Sequence, residues 1–116
     1  MCIRDRNTAV GYLSLYANTT GATNVAVGVS ALQENTTASN NVGVGNRALA
    51  ANTTGYNNTV VGSQSTDANT TGHSNTAVGR VSLTANTTGD QNIAVGVSAL
   101  EANLSLIHIS EPTRPY

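Results

Sequence analysis

Large aromatic side chains and charged groups are scarce in this chain of 116 residues, which carries a formal net charge of −1. It contains no Trp and no Phe, and charged residues make up only 9% of the sequence. Because a globular core of this size usually relies on large apolar side chains, the composition argues against a compact globule. The charge balance provides no basic patch for nucleic acid and no polybasic strip for a membrane surface. No apolar run approaches the length that spans a bilayer, so we expect no direct membrane insertion of this segment.

A repeat of seventeen residues takes the place of large side chains. Each copy begins with Asn, and a Val-Gly pair completes its first five residues. The Asn residues are Asn7, Asn24, Asn41, Asn58, Asn75 and Asn92, the Val residues are Val10, Val27, Val44, Val61, Val78 and Val95, and the Gly residues are Gly11, Gly28, Gly45, Gly62, Gly79 and Gly96. A fixed period without insertion or deletion over six copies is typical of a solenoid or fibre array. The sequence therefore predicts an all-β protein, a parallel β-solenoid (β-roll) of 17-residue coils.

The two ends of the chain do not follow the repeat. Residues 1–6 and 104–116 hold the only Cys, the only Met and both Pro. The two ends can be encoded by DNA sequences that are reverse complements of each other, as in translated sequencing adapters. We interpret both ends as adapter artefacts and exclude them from fold reasoning. The repeat array is then residues 7–103, and the alternative is a genuine N-terminal arm and C-terminal tail.

Within each copy, counted from its Asn as position one, β-branched residues alternate along a short segment. Position two is Thr, Val or Ile, and position four is always Val. Side chains at i and i+2 lie on one face of a strand, so we predict that positions two and four face the interior. In particular, we expect Val27, Val44 and Val61 to line one shared interior column. The Gly at position five is expected to end the strand or to permit a bend that a Cβ atom would hinder.

A second apolar segment follows and carries Leu at position nine. The Leu residues are Leu15, Leu32, Leu49, Leu83 and Leu100, and Thr66 replaces Leu in the fourth copy. We predict a second strand here, with position nine inside, so that each coil has two short strands and two turns. A helix is excluded because Gly and β-branched residues leave no window of helical length. Positions three and eight hold Ala, Gly or Ser, apart from Val60, and we expect them to face outward.

The turn Asn-Thr-Thr-Gly closes the coil, with Ala38 in place of Gly in the second copy. Its Asn residues, at position twelve, are Asn18, Asn35, Asn52, Asn69 and Asn86. Because Asn tolerates the left-handed region and Gly supplies positive φ at no steric cost, we expect left-handed backbone in this turn. Parallel stacking at about 4.8 Å per coil would place like residues in columns, where Asn side chains can extend amide hydrogen bonds along the axis.

The small residues at positions three and eight also bear on assembly. Small side chains on an outer face would let another backbone approach closely, which favours several chains packed side by side over a lone solenoid. The alternative is that Ala merely suits a thin strand. An isolated coil is not expected to fold, because ordering seventeen residues costs more free energy than its apolar area returns.

The motif at residues 24–32 and 92–100, which reads NVAVGVSAL and NIAVGVSAL, resembles the YadA-like head repeats of trimeric autotransporter adhesins. It is also similar to repetitive tail-fibre proteins of phages and phage-like particles. The adhesin heads are parallel β-rolls in which three chains pack together and bind host surfaces or matrix. The resemblance covers residues 7–103 and implies a homotrimeric fibre outside the cell, on a bacterial surface or a phage virion. The adhesin repeats are shorter than the seventeen-residue unit of this chain.

Patterns that carry chemistry are weak in the repeat array. His73 is its only His, and a lone His in a turn is more often solvated than catalytic. The carboxylates Glu34, Asp67, Asp90 and Glu101 lie in different copies and make no calcium-binding repeat. No phosphate-binding glycine loop is present. We therefore predict no enzyme activity, no cofactor and no metal. Asn-Thr-Thr matches the N-glycosylation sequon, but a regular turn Asn explains the match without a glycan.

The sequence thus predicts a structural and adhesive fibre segment of a cell-surface adhesin or a phage tail fibre. Receptor binding within the segment would use variable outward residues such as Tyr12, Tyr16, Tyr56, Arg47 and Arg80. The alternative is a soluble β-solenoid binding module, for example an ice-binding protein. An ice-binding face needs outward Thr at i and i+2 on a strand, whereas the paired Thr residues of each copy are adjacent and lie in the turn.

Overall fold

The computed structural model describes residues 6–101, which form a stack of coils joined by one parallel β-sheet. The six strands are β1 (Thr8–Val10), β2 (Val25–Val27), β3 (Val42–Val44), β4 (Thr59–Val61), β5 (Thr76–Val78) and β6 (Ile93–Val95). They pair in sequence order, each parallel to the next. The described part of the chain contains no helix, so none could cross a membrane. The predicted parallel β-solenoid is confirmed.

The register of the strands follows the repeat without slippage. Val25 pairs with Val42 and Val27 pairs with Val44, and the same offset of seventeen residues holds from β1 to β6. Like residues therefore stack in columns along the axis, as the sequence predicts. We number the coils one to six from the Asn that opens each copy. The segments interpreted as adapter sequence, residues 1–6 and 104–116, lie outside the described residues apart from Arg6.

The second predicted strand is wrong. Positions six to eleven form tight turns, and β1–β6 are the only strands in residues 6–101. The residue at position nine has a left-handed backbone in every coil, with φ from 51° to 55°, and position seven also has positive φ. Two left-handed residues with one residue between them curl the chain inward, where a strand would run straight. The curl still pairs with its neighbours, since the Leu32 N–H donates to the Ala48 carbonyl oxygen at 3.0 Å.

The predicted inside and outside of the strand are reversed. Position three faces inward, since Ala26, Val60 and Ala77 have no exposed surface. Positions two and four face outward and are half-buried or exposed in every coil. Val27, Val44 and Val61 do form one column, but the column lies on the outer face of the sheet. The expectation of an interior Val column was therefore wrong in its side and right in its register.

The narrow interior explains this reversal. Position eight is also buried in the coils that carry Ala31, Ala48, Ser65 and Ser82, against the prediction that it faces outward. Position nine fills most of the space, as predicted, with Leu32, Leu49 and Leu83 fully buried. A Cβ atom placed on Gly43 would lie 3.2 Å from the Ala48 carbonyl oxygen and 3.4 Å from Leu32 Cγ, so little space remains between this strand and the Leu column. Positions three and eight hold mostly small residues because the interior of the coil is narrow.

Glycine serves two different purposes in each coil. At position five, φ lies between 128° and 147°, and a Cβ atom on Gly45 would approach the Gly62 carbonyl oxygen to 2.6 Å, which confirms the predicted bend. The Gly of the Asn-Thr-Thr-Gly turn has no positive φ, nor does its Asn, so the expected left-handed turn is wrong. There a Cβ atom on Gly55 would lie 2.6 Å from Asn52 Oδ1. The second Gly is required by space and not by backbone conformation.

Candidate functional site

Asn side chains at position twelve form a continuous amide ladder inside the turn. Each Nδ2 donates to the Oδ1 of the Asn in the preceding coil, for example from Asn52 to Asn35 at 3.0 Å and from Asn69 to Asn52 at 2.8 Å. Each Nδ2 also donates to the carbonyl oxygen at position fifteen of its own turn, as Asn52 does to Gly55 at 2.9 Å. Asn35, Asn52, Asn69 and Asn86 have no exposed surface. The predicted Asn ladder is present at this position.

A second Asn column runs parallel to the first at position one. Here the Oδ1 accepts from the backbone N–H of the Asn in the next coil, as Asn41 Oδ1 does from Asn58 at 2.9 Å. The Nδ2 donates to the carbonyl oxygen at position fifteen, for example from Asn41 to Gly55 at 2.8 Å. The Gly55 oxygen thus accepts from both Asn columns. Sequence reasoning found the column residues but not this shared acceptor, because it depends on how the turn folds back against the strand.

In the coils where the Asn at position twelve is fully buried, its side-chain nitrogen is not accessible for N-glycosylation in the folded protein. The Nδ2 of Asn52 donates both to Asn35 Oδ1 and to the Gly55 carbonyl oxygen. Asn69 makes the equivalent pair of bonds. Because a glycan would need this nitrogen at the surface, attachment at these Asn residues requires local unfolding of the turn. The sequon match is accounted for by the turn.

Thr at position thirteen adds a third set of bonds between coils. The Thr36 hydroxyl donates to the Thr53 carbonyl oxygen at 3.3 Å, and the Thr53 hydroxyl donates to Thr70 at 3.2 Å. Thr at position fourteen is exposed in every coil from Thr20 to Thr88. The two Thr residues of each turn therefore play different parts, one joining coils and the other meeting solvent.

The outward face of the sheet is a regular, uncharged surface of β-branched side chains. We call it the strand face and define it by positions two and four of the six strands: Thr8, Val25, Val42, Thr59, Thr76, Ile93, Val10, Val27, Val44, Val61, Val78 and Val95. No residue of the strand face is charged. Exposed fractions reach 58% at Val10, 71% at Ile93 and 68% at Val95. The absence of large residues at positions three and eight was the sequence signal that could have revealed this face.

The predicted binding residues do not converge on one site. Tyr12 and Arg80 share position six but lie four coils apart, and Tyr16 lies at position ten of the first coil. Arg47 Nη2 lies 3.7 Å from Oδ2 of Asp67 in the next coil. Tyr56 lies at position sixteen. All five side chains are exposed, as predicted, but they are scattered along and around the coil stack.

A cluster at position sixteen joins three successive coils. The rings of Tyr56 and His73 stack with centroids 4.5 Å apart and an interplanar angle of 8°. His73 Nε2 lies 3.2 Å from Asp90 Oδ2, and the His73 backbone N–H donates to Asp90 Oδ1 at 3.0 Å. Sequence reasoning treated His73 as a solvated turn residue. The structure shows that register alone brings an aromatic ring, an imidazole and a carboxylate into one column.

The electrostatics of the described residues are modest. Burial raises the pKa of the Asp67 carboxyl above its ordinary value, although Arg47 and a backbone hydrogen bond lower it in part. Glu34 and Glu101 lie in other coils and are exposed. Among the side chains that the structure describes, no three His, Cys, Asp or Glu residues are grouped as metal ligands would be.

The fourth coil departs from the others because its interior is partly polar. Thr66 replaces the buried Leu, and the Ser65 and Ser82 hydroxyls lie 2.7 Å apart in the same strip. Ser82 also donates to the Gly79 carbonyl oxygen at 3.0 Å. Val60, the largest residue at position three, belongs to this coil and is fully buried. The fourth coil thus has a larger residue than the other coils at position three and a smaller one at position nine.

These columns define the class of protein: a parallel β-solenoid with an Asn-lined turn and an apolar outer sheet face. Comparisons with models of protein families, with curated proteins and with solved structures found no match.

Proposed function

We propose that the chain is a segment of a structural and adhesive fibre of a cell-surface adhesin or a phage tail fibre. It would hold a receptor-binding region at a distance and present or form part of the binding surface. The observation that carries the proposal is the unbroken hydrogen bonding along the axis. Every coil is joined to the next at the strands, and Asn ladders join them again on the turn side.

Stiffness follows from the position of these bonds. Successive coils are hydrogen-bonded at the strands, at position nine and at the Asn and Thr columns, so a bend of the stack stretches some of these bonds. Because the bonds of the Asn columns are buried, water cannot readily replace them. Each added coil lengthens the stack by about 4.8 Å without changing its cross-section. A chain of this kind sets distance through its number of copies.

The distribution of variable positions also supports a spacer that carries recognition on its surface. Positions six, ten and sixteen change from coil to coil, with residues such as Tyr12, Tyr16 and Arg80 exposed there. The buried columns change little, since they share contacts with the coils on both sides. We propose that any receptor in a host surface or matrix contacts these variable positions, and that the fibre is a homotrimer located outside the cell.

Labelling of intact particles tests the proposal. An antibody raised against the array should label unlysed cells or virions of the source, because a fibre segment is displayed outside. Labelling that appears only after lysis would overturn the proposal. Duplication of residues 7–91 adds five coils and should lengthen the labelled fibre by about 24 Å at constant width. A particle that thickens in all directions would contradict the spacer.

An ice-binding face is the second candidate, because the structure gives an outward, regular, uncharged sheet of β-branched side chains. Thr8, Thr59 and Thr76 lie at position two of that face, each with Val at position four. No strand among β1–β6 carries the outward Thr pair. Thermal hysteresis of the purified protein would support ice binding, and ice crystals of normal habit would end it.

A further inference from the structure

A hydroxyl, an imidazole and a carboxylate meet where the fourth coil contacts the fifth. Ser74 Oγ lies 3.3 Å from Nδ1 of His73, the residue before it. On the other side of the ring, His73 Nε2 lies 3.2 Å from Asp90 Oδ2, and the second carboxylate oxygen accepts from the His73 backbone N–H at 3.0 Å. With Nε2–H donating to Asp90, Nδ1 is the acceptor that faces the hydroxyl. A base held by a carboxylate and placed beside a hydroxyl is the arrangement that activates a serine nucleophile.

The backbone of Ser74 turns this hydroxyl toward the peptide bond that precedes it. Ser74 has a φ of 60°, and position seventeen is left-handed in each of coils one to five. At the negative φ of a helix, Cβ points away from the preceding carbonyl carbon, whereas at this φ the two atoms are gauche. Thr23 shows the result, since its hydroxyl donates to the carbonyl oxygen of Ala22 at 2.5 Å. A left-handed Ser therefore presents its Oγ to the carbonyl group of the residue before it.

The carbonyl group of His73 is polarised by the next coil. Its oxygen accepts from the Gln91 backbone N–H at 3.0 Å. Negative charge that develops on this oxygen during attack would meet a donor that is already in place. The ring of Tyr56 stacks on the His73 imidazole with centroids 4.5 Å apart, so it limits rotation of the base. Nucleophile, base, orienting carboxylate and oxyanion donor thus surround a single peptide bond.

We infer that Ser74 cleaves the chain at the peptide bond between His73 and Ser74. Ser74 Oγ attacks the His73 carbonyl carbon, and its proton passes to His73 Nδ1. The bond from that carbon to the Ser74 nitrogen breaks, the nitrogen takes up the proton, and the His73 acyl group is left as an ester on Oγ. Water hydrolyses the ester to a carboxylate on His73 and restores the Ser74 hydroxyl beside a new amino terminus. The attack is intramolecular, so it needs no binding pocket.

Only the fourth coil of the described stack combines these groups. Among coils one to five, position seventeen carries a hydroxyl at Thr23 and Ser74 and an amide side chain elsewhere. The first coil has the left-handed hydroxyl residue, and the Ala22 carbonyl oxygen accepts from the Asn40 N–H at 3.1 Å. Its position sixteen is Ala22, which supplies no base. The first coil is therefore an internal control for the fourth.

A cut at this bond would not separate the coils. Strands β4 and β5 lie on opposite sides of it and are paired, and the Asn75 backbone N–H donates to Asn58 Oδ1 across it at 2.9 Å. Cleaved protein should therefore keep the size of the intact stack until it is denatured. The reaction happens once on the chain's own backbone and does not depend on the proposed fibre.

Mass spectrometry of the denatured full chain, after incubation under native conditions, gives the first test. We expect two fragments, one ending at His73 and one beginning at Ser74, that accumulate with a first-order rate constant independent of protein concentration. Sedimentation of the same sample before denaturation should show one species of unchanged size. A chain that stays intact over several weeks would overturn the inference and leave the fibre proposal untouched.

Substitution of the nucleophile and of the base gives the second test. Ser74→Ala should abolish cleavage, and His73→Gln should lower the rate constant by roughly 100-fold or more. Circular dichroism checks that both variants keep the β-fold. Hydroxylamine provides a readout on the original chain, because it attacks the ester and should release the His73 fragment faster, as a hydroxamate. Cleavage that persists in Ser74→Ala would overturn the inference.

Transfer of the two charged groups to the first coil gives the matched control. Ser39 Oγ already accepts from the Ala22 N–H at 3.0 Å, as Asp90 does from His73. Ala22→His with Ser39→Asp should therefore place a base and its carboxylate beside the Thr23 hydroxyl and produce a second cut, between residues 22 and 23. Ala22→Gln with Ser39→Asn, of similar size, should produce none. Equal behaviour of the two double variants would overturn the assigned chemistry.

Discussion

Two buried strips run side by side through this coil stack, and they hold it together in different ways. The apolar strip consists of small residues at position three and Leu at position nine, such as Leu32 and Leu49. The polar strip consists of Asn at positions one and twelve, including Asn41 and Asn52, with every described amide of the central coils hydrogen-bonded. Burial of apolar surface is non-directional, whereas an amide bond has a fixed length and angle. The apolar strip therefore stabilises the stack by burying apolar surface, and the polar strip fixes the register between coils.

The largest expected difference between the polar and the apolar strip comes from a substitution of similar shape in each strip of the third coil. Asn52→Asp keeps the shape but replaces the donor, so a carboxylate would face Asn35 Oδ1 and the Gly55 carbonyl oxygen. We expect a loss of at least about 4 kcal/mol in the free energy of unfolding, because a buried charge would lack a donor on that side. Leu49→Met should cost less than about 1.5 kcal/mol. Urea denaturation measures both.

The control for that comparison is Asn46→Asp, which adds the same charge at an exposed position of the same coil. We expect almost no change in stability, since the surface carboxylate remains solvated. A loss for Asn52→Asp no larger than for Leu49→Met would contradict the assignment of register to the polar strip.

A second change tests the space beside the polar strip. Gly55→Ala would press a Cβ atom against the Gly72 carbonyl oxygen and bring it to 2.6 Å from Asn52 Oδ1. We expect a loss of about 1–3 kcal/mol, the range for overpacking, in thermal or chemical denaturation. Ala38 already occupies the equivalent position in the second coil, so Ala38→Gly should relieve a contact there.

In Ala38→Gly, the relieved contact stabilises the folded state, whereas the greater backbone entropy of Gly stabilises the unfolded state. We expect a net change below about 1 kcal/mol in the free energy of unfolding. If Gly55→Ala were as well tolerated as Ala38→Gly, space at position fifteen would not be the reason for Gly. The Asn ladder beside it would then be more deformable than its hydrogen bonds suggest.

The third change concerns the apolar strip of the fourth coil, which has Val60 at position three and Thr66 at position nine. Val60→Ala should cost about 1–2 kcal/mol, because it removes two methyl groups from a fully buried side chain. Thr66→Leu alone should also destabilise, because it adds bulk at a fully buried position of an interior that already holds the larger Val60. The double variant restores the residues of the other coils and should lose less than the sum of the two. Additive losses in a double-mutant cycle would show that the two sites do not share space.

The smallest effect is expected outside both strips, at Asp67. Burial raises the pKa of this carboxyl in the folded protein, so the folded state binds the proton more tightly than the unfolded chain does. Stability should therefore rise as pH falls from neutrality through the raised pKa, until the unfolded carboxyl is also protonated below about 3.8. Asp67→Asn should stabilise the protein slightly at neutral pH, and this gain should vanish at acidic pH.

Denaturation at a series of pH values measures that difference between the Asp67 variant and the original chain. The paired Arg47 is largely exposed, so loss of the ion pair should contribute little. A variant that is less stable at neutral pH and equal at acidic pH would show that the contact with Arg47 outweighs the cost of burial.

Several of the sequence predictions relied on the conformational preferences of single residue types. These predictions were wrong at the strand and at position nine. β-branched residues at positions two and four predicted an interior, but β-branching suits any pleated sheet surface, buried or not. Leu at position nine predicted a strand, yet its backbone is left-handed in Leu32, Leu49 and Leu83. Left-handed geometry costs roughly 1–2 kcal/mol for such a residue. The neighbouring coils impose that conformation, and an isolated segment could not show it.

The candidate site shows the same limit. The variable residues Tyr56, His73 and Asp90 are seventeen residues apart, so the period placed them at equal positions, but only the fold shows the stacked rings and the contact with the carboxylate. The strand face was missed because its residues were assigned to the core. Side-chain size at positions three and eight contained the necessary signal, since columns that hold Ala, Gly or Ser, with Val60 as the exception, border a confined space.

The repeat by itself determined the all-β class, the parallel stack, the alignment of like residues and the Asn ladder, because a constant period leaves only one register in which every copy meets its neighbours alike. Tertiary structure decided which side of the strand is interior, where the left-handed residues lie and which surface is left for a partner. Those features depend on how much volume the closed coil encloses, and that volume is a property of the whole turn and not of any one residue.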